Sequence, residues 1–200
     1  MRMIRRAISI SLLLSLAACS VLPKAESPSI YRLPASAIPR NQAPTLGRSL
    51  RIDTPQAERM IDSARIVVLP EDNVISNYQG ARWSDNGPTL LRNRLLDAFR
   101  DDGRIAALSS DDAGLQADDS LSGDLRAFQS EYRGGLPTVV IRYDARLVHT
   151  NGLRIVAARS FEVTEPVNGK AVPEVVAAFG RASDRLASQV VDWTLHQSTR

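Results

Sequence analysis

Hydrophobic and polar residues alternate along three long stretches in the second half of the 200-residue chain. Since every second side chain of a strand lies on the same face, residues 121–132, 139–147 and 153–163 are each predicted to form a strand with one apolar face. The predicted apolar faces consist of Leu121, Gly123, Leu125, Ala127 and Gln129, then of Val139, Ile141, Tyr143, Ala145 and Leu147, and finally of Leu153, Ile155, Ala157, Phe161 and Val163. Charged residues on the opposite faces predict an antiparallel sheet that is covered on one side only.

Shorter strand patterns come earlier in the chain. They lie at residues 30–33, 50–53, 65–69 and 105–108. A hairpin is predicted to connect the third of these to residues 73–79, with its second strand ending near Tyr78. Proline-rich residues 34–49 and polar residues 109–120 are predicted loops, and residues 54–63 are predicted to be irregular or a single helical turn. Asn151-Gly152 predicts a tight turn between the last two long strands.

Two further segments have apolar residues at the three- and four-residue spacing of an amphipathic helix. The first helix is predicted to begin at Pro88 and to end at Gly103, since proline is favoured in the first helical turn and glycine after the last. Its predicted core face carries Leu91, Leu95, Ala98 and Phe99, and its predicted outer face carries Arg92, Asn93 and Asp97. The second helix is predicted from about Pro173 to His196. These elements predict an α+β two-layer sandwich, a mostly antiparallel sheet with both helices on one face.

The N-terminus has the pattern of a secretory signal. Arginines at positions 2, 5 and 6 precede a short apolar run, and small residues follow it. The ending Leu16-Ala17-Ala18-Cys19 resembles the lipobox of bacterial lipoproteins. That resemblance implies cleavage after Ala18 and acylation of Cys19 by fatty acids such as palmitate, which would anchor the protein to a membrane. The alternative is an ordinary signal peptide that contains a cysteine by chance.

These features predict three segments: a signal peptide over residues 1–18, an acylated tether over 19–28 and a single domain over 29–197. Removing the signal removes three of the 25 basic residues and none of the 22 acidic ones, so the mature chain has 22 of each. The basic isoelectric point therefore gives no reason to expect nucleic-acid binding. An aspartate directly after the lipobox cysteine resembles a signal for retention in the inner membrane. Ser20 occupies that position here, which favours an anchor in the outer membrane, facing the periplasm.

Candidate catalytic and metal-binding residues are few. His149 is predicted to end a strand beside a turn, and His196 lies near the C-terminus, so both are interpreted as exposed or edge residues. Three Asp-Asp pairs lack the spacing of a calcium loop and are interpreted as solvated turns. These pairs are Asp101-Asp102, Asp111-Asp112 and Asp118-Asp119. We therefore expect no catalytic site, no metal and no cofactor.

Tyr78 and Trp83 are the candidate residues for contact with a partner protein. They lie beside the first predicted helix, where an exposed aromatic side chain could anchor an interface. The alternative for Trp83 is that its ring folds back over the edge of the core.

The order of motifs resembles the ABC-type transport auxiliary lipoprotein family, the PqiC-like proteins. The resemblance covers about residues 29–196 and depends on the lipobox, Tyr-Arg-Leu at 31–33, Arg-Ile-Val-Val at 65–68 and above all the segment from Tyr78 to Phe99. It implies an accessory lipoprotein at the outer-membrane end of a lipid-transport system with an ABC ATPase, a permease and an Mce-type substrate-binding protein. The Mce-type protein is the partner expected from this resemblance, and the family has no catalytic residues to transfer.

Two other functions remain open from the sequence. A membrane-tethered hydrolase would need a pocket that joins His149 to a serine and an acid. A structural or assembly lipoprotein would need no pocket at all. Mixed surface charge is also compatible with a homo-oligomer. We expect a docking protein rather than a lipid carrier, because the core is predicted to use most of the apolar area that could line a large cavity.

Overall fold

The computed structural model describes residues 27–36, 38–39 and 44–198. The predicted signal peptide, Cys19 and most of the predicted tether lie outside the described residues. Within them, the chain forms strands and two long helices in an α+β arrangement, as predicted. In chain order the elements are β1 (Ser29–Tyr31), β2 (Leu46–Ile52), β3 (Gln56–Ala57), β4 (Arg65–Glu71), β5 (Val74–Trp83), α1 (Gly87–Asp102), β6 (Ile105–Ser110), a 3₁₀ turn (Asp111–Ala113), β7 (Asp119–Arg133), β8 (Leu136–His149), β9 (Arg154–Pro166) and α2 (Val172–Ser198).

Strand β7 is the centre of a curled mixed sheet. One edge of β7 pairs antiparallel with β8 along the whole strand, and β8 pairs antiparallel with β9. The other edge pairs in parallel with three short strands in succession: β2, then β3, then β4. Beyond β2 lies β6, and beyond β4 lie β5 and β1. The long pairings are antiparallel, as the alternation predicted, whereas the short parallel pairings have no counterpart in the sequence pattern.

Helix α1 begins and ends at the residues that the sequence indicated. The side chain of Asn86 caps the first turn by accepting a hydrogen bond from the Thr89 backbone N–H at 3.0 Å, and Pro88 follows within that turn. At the other end Gly103 adopts a left-handed conformation, with φ of 78°, and its N–H donates to the Phe99 carbonyl. Glycine reaches this conformation without steric cost, so the helix stops there.

Both helices cover the same face of the sheet and enclose its apolar side chains. Trp83, Phe128 and Phe179 form an aromatic cluster in this core, with the ring of Trp83 edge-on to Phe179 at 5.1 Å between centroids. Trp83 is only 1% exposed. The structure thus corrects the prediction of Trp83 as a partner contact, because a buried indole stabilises the core and is not available to another protein.

Two β-bulges explain where the predicted strand faces were wrong. Leu125 pairs with Tyr143 but Ala127 pairs with Arg142, so one extra residue in β7 reverses the alternation. Phe128 is therefore buried and Gln129, predicted on the apolar face, is only partly buried.

The second bulge lies in β9, where Ala157 pairs with Leu147 and Ile155 with Val148. The extra residue turns Ile155 away from the helices. Ile155 is 56% exposed, and Leu153, in the adjoining turn, is 80% exposed. The prediction that both share the core face of Phe161 and Val163 is therefore wrong.

Two arginines of α1 are buried rather than exposed. Arg92, predicted to face away from the core, donates at 3.0 Å to both Asp111 and Asp112, which belong to the 3₁₀ turn. Arg94 pairs with Asp184 of α2 and also donates to the carbonyl of Pro34. Buried guanidinium groups need such partners, so these contacts tie the helix layer to the loops at its edges.

Gly123 in β7 is required by close packing against β8. A Cβ atom at this position would overlap the backbone oxygen of Asp144 and would lie 2.6 Å from the ring of Tyr143. Tyr143 is fully buried and its hydroxyl donates to the Ser122 carbonyl, and burial raises the pKa of that hydroxyl well above its usual value. Because Tyr143 is fully buried, its ring cannot move away from a Cβ atom added at position 123.

We therefore expect Gly123→Ala to lower the free energy of unfolding by about 2–3 kcal/mol or more, in the upper part of the range for overpacked cores. Thermal or denaturant unfolding measures the change. Gly47→Ala is the matched control, because no atom lies within 4 Å of a Cβ at that position in β2. Equal stability of the two variants would contradict the packing described for Gly123.

Candidate functional site

The end of the β8–β9 hairpin brings together a buried carboxylate and two basic side chains. Asp119 begins β7, and its side chain is only 3% exposed. Arg48 of β2 donates to it from Nε at 2.8 Å and from Nη2 at 2.6 Å, and Nδ1 of His149 hydrogen-bonds its other oxygen. The pairing of Asp119 with His149 across the β7–β8 ladder fixes this arrangement. The carboxylate is thus held by charge-assisted bonds from two strands.

These side chains border a cavity of about 320 Å³, which we call the His149 cavity. It lies between the end of the sheet and the C-terminal turn of α2. Its lining residues are Arg48, Asp119, Leu147, His149, Arg154, Val156 and Gln197. Among the described residues Arg154 has no ion-pair partner, so its guanidinium is available to another molecule. A cavity of this size with a charged lining suits a small polar group or a protein side chain better than acyl chains.

The His149 cavity contains part of the constellation that a hydrolase would require. His149 and Asp119 form the histidine–acid pair of such a site. No serine is among the described residues that line the cavity, and no hydrogen bond joins a described serine side chain to His149. Among the described residues, the His149 cavity therefore holds the histidine and the acid that the hydrolase alternative names, but not its serine.

A hydrogen-bonded loop supports the site. The carboxylate of Asp118 accepts hydrogen bonds at 2.8 Å from both the backbone N–H and the hydroxyl of Ser49, and these bonds lower the pKa of Asp118. The Thr150 N–H in the β8–β9 turn donates to the Asp118 carbonyl at 3.1 Å. These hydrogen bonds join the loop before β7 to the turn after β8. They hold the turn from which the exposed side chain of Leu153 projects.

Exposed apolar residues lie next to the His149 cavity along the chain. Leu153 and Ile155 are both exposed, and they are the immediate neighbours of Arg154, which lines the cavity. An apolar centre bordered by charged side chains is the composition of a protein–protein interface. We call Leu153, Arg154 and Ile155, together with the cavity, the hairpin-end surface.

The residues predicted as functional lie elsewhere. Tyr78 is half-buried on β5, and its hydroxyl forms a 2.9 Å hydrogen bond with Ser130 of β7. Burial raises the pKa of this hydroxyl. Trp83 is in the core, as described above, and neither residue reaches the hairpin-end surface. His196 lies on α2, where Nδ1 contacts the Asp192 carbonyl at 2.6 Å.

The Asp-Asp pairs are largely engaged in ion pairs rather than in solvated turns. Asp102 binds Arg104, Asp111 and Asp112 bind Arg92, and Asp119 binds Arg48. Burial alone would raise the pKa of Asp111, but the Thr54 N–H and Arg92 lower it overall. Within the described residues, no group of three or more histidine, cysteine or acidic side chains is placed to hold a metal ion.

Sequence reasoning singled out His149, and Asp119 within the pair Asp118-Asp119, but interpreted both as surface residues and did not bring them together. Arg48, Asp119 and Arg154 are separated by up to 106 positions in the chain, and they meet because the first residues of β7 and β9 lie near β2 at one end of the sheet. One usable signal was present: Leu153 follows the Asn-Gly turn directly, where a large apolar side chain is unusual. Among the described residues, no helix has the length and apolarity that crossing a membrane requires.

Comparisons with known proteins agree with the sequence resemblance. A family model for the ABC-type transport auxiliary lipoprotein component matches residues 31–191. An uncharacterized protein of Bradyrhizobium diazoefficiens is 35% identical over 162 residues, which is 78% of this chain. Those residues make up 43% of that protein, so the chain spans less than half the length of the curated relative it matches.

Two solved structures are similar along most of the chain. A Xanthomonas campestris protein assigned to family DUF330 is 33% identical, with a TM-score of 0.79, and the match covers 86% of this chain and 97% of that one. An uncharacterized protein at 18% identity has a TM-score of 0.66, with 84% and 99% coverage, and shows the fold alone.

Proposed function

The chain belongs to the ABC-type transport auxiliary lipoprotein family, and from that premise we propose that it is a non-catalytic, outer-membrane-anchored accessory protein of an envelope lipid-transport system. In this proposal Cys19 carries the acyl anchor and the folded domain faces the periplasm. The domain docks on the Mce-type substrate-binding protein of the system. The protein acts as a docking element and does not itself enclose the transported lipid.

The hairpin-end surface is the observation that carries the docking proposal. Leu153 and Ile155 expose large aliphatic side chains, and Arg154 beside them has no ion-pair partner among the described residues. Truncating apolar residues at the centre of an interface reduces affinity most when charged groups at the rim exclude water from them. An acidic or amide side chain of the partner would complement Arg154 and Arg48 in the His149 cavity.

Two features favour docking over enzymatic function. The histidine–acid pair of Asp119 and His149 has no serine beside it among the described residues, and Arg48 occupies part of the carboxylate's hydrogen-bonding capacity. The charged lining of the His149 cavity is also unsuited to acyl chains. A structural or assembly lipoprotein would use the same surface. The proposed function differs from that alternative in the partner that the surface binds.

Replacing Cys19 with Ser is expected to release the protein from membranes into the soluble fraction. Two or more acyl chains give stable attachment, at roughly 0.8 kcal/mol for each buried CH₂ group, and the substitution removes the site of acylation. Fractionation of cell envelopes, followed by a high-salt wash, measures the change, with Ser20→Ala as the control that keeps the cysteine. Retention of the Cys19→Ser protein in washed membranes would contradict the proposed anchor.

The double substitution Leu153→Ser and Ile155→Ser is expected to weaken binding to the proposed Mce-type partner by at least tenfold. Burying one aliphatic side chain contributes about 1.5–3 kcal/mol, and about 1.4 kcal/mol is a tenfold change in affinity. Titration of the detergent-solubilised lipoprotein with the purified partner measures the dissociation constant.

The matched control for this titration is Ile75→Ser with Leu136→Ser, because these residues are also exposed but lie at the other end of the sheet. It should bind like the unmodified protein. If both double variants bind normally, the hairpin-end surface is not the docking site. If the unmodified protein does not bind the partner at all, the structural or assembly function becomes the better account.

A further inference from the structure

A second group of exposed apolar residues lies at the opposite end of the sheet. Strand β4 runs parallel to β7, with Leu69 beside Glu131, so the β4–β5 and β7–β8 hairpins turn at the same end. Val74, Ile75 and Leu136 project from these two hairpins and are 47%, 50% and 56% exposed. We call these three residues the hairpin-tip patch. They are far from the hairpin-end surface, because β8 separates the two ends by its full length of 14 residues.

The chain enters the domain from the direction of this patch. Strand β1 runs parallel to β5, with Ser29 beside Ala81 and Tyr31 beside Trp83. Since β5 begins at Val74, the residues that precede Ser29 come from the side of the hairpin tips. From Ala81 back to Ile75 is six residues of β5, a distance of no more than about 20 Å.

The pairing register gives the distances from Ser29 to the two ends of β8. Through β5, β4 and β7, Ser29 lies about level with Phe128, which pairs with Ile141 of β8. From Ile141, Leu136 is five residues away in one direction, roughly 17 Å, and His149 is eight residues away in the other, roughly 26 Å. Four strand spacings, about 19 Å in all, also separate β1 from β8.

The length of chain before Ser29 decides which end an anchor at Cys19 can reach. Ten residue steps join Cys19 to Ser29 and span at most about 33–36 Å when fully extended. That length is enough for an anchor at Cys19 to reach the level of the hairpin-tip patch with several residues to spare. An anchor at the His149 end would need a fully extended chain that also reverses direction at Ser29.

We propose that the hairpin-tip patch contacts the surface of the lipid bilayer beside the acylated Cys19 and holds the domain upright on the membrane. This inference rests on the proposed anchoring of Cys19. The acyl chains supply the attachment, and the three aliphatic side chains fix the orientation, so that the hairpin-end surface points away from the membrane toward a partner.

The charges beside the patch define the kind of contact. In the β4–β5 hairpin, Glu71 at the end of β4 and Asp72 in the turn are exposed and acidic, so attraction of this hairpin to anionic headgroups does not drive the association. The contact is apolar and shallow, and it is independent of salt. Zwitterionic vesicles of phosphatidylcholine and phosphatidylethanolamine are therefore the appropriate membrane.

The sequence allows a direct test with a fluorescent probe. Cys19 is the only cysteine, and acylation blocks its thiol, so a cysteine introduced elsewhere is the only free thiol of the lipoprotein. Ile75→Cys, Leu136→Cys and the control Leu153→Cys are each labelled with the environment-sensitive dye NBD and reconstituted into these vesicles. We expect blue-shifted emission and quenching by spin-labelled lipids at positions 75 and 136, unchanged by 0.5 M salt, and water-like emission at 153.

Flotation of the vesicles separates failure of the anchor from failure of the orientation. If the lipoprotein does not float with the vesicles, the anchoring and the patch proposal both fail. If it floats but probes at 75 and 136 stay water-like, or the probe at 153 enters the membrane, only the patch proposal is overturned. Blue-shifted emission at 75 and 136 in the Cys19→Ser background without vesicles would show that another copy of the chain covers the patch, and would also overturn it.

Discussion

The structure depends on the pairing of β7 along both of its edges. One edge is occupied throughout by β8, and the other is shared by β2, β3 and β4. Because strands that join β7 in parallel must follow its direction, the last residues of β2 lie beside the first residues of β7, with Leu50 paired with Asp119. For the same reason the β4–β5 hairpin turns beside the β7–β8 hairpin. The same backbone hydrogen bonds therefore create two distinct ends, one with the His149 cavity and the other with the hairpin-tip patch.

The helix layer fixes the N-terminal segment relative to this sheet. Arg94 of α1 binds both Asp184 of α2 and the carbonyl of Pro34, just after β1. Gly180 of α2 lies so close to Pro34 that a Cβ there would approach the proline ring at 2.9 Å. The buried guanidinium requires these partners, so the segment after β1 is held against the helices and the entry direction of the chain is defined. That direction relates the proposed anchor at Cys19 to one end of the sheet.

Much of this fold could be predicted because its signals are local. The signals at Pro88 and Gly103 that bound α1 are sequence features, and the apolar face predicted for 139–147 is buried in the structure as predicted. The bulges in β7 and β9 could not be predicted, since each extra residue depends on how the strand pairs with β8 and not on the local sequence. They reversed the expected faces of Gln129 and Ile155. The burial of Trp83 and Arg92 likewise depends on contacts with residues that are distant in sequence. Of the candidate site, the sequence indicated His149 and the pair Asp118-Asp119 only as separate surface residues, because Arg48, Asp119, His149 and Arg154 meet through the sheet topology.

In the proposed arrangement the two ends of the β7–β8 pair face different partners, the bilayer at one end and the Mce-type protein at the other. Hydrogen–deuterium exchange of the vesicle-anchored lipoprotein, before and after addition of the Mce-type protein, tests it most directly. Backbone amides in turns exchange readily unless they are covered. The account predicts that the vesicle slows exchange at residues 72–75 and 134–136 and that the partner slows exchange at 150–156. Protection of 150–156 by the vesicle, or of the hairpin tips by the partner, would contradict it.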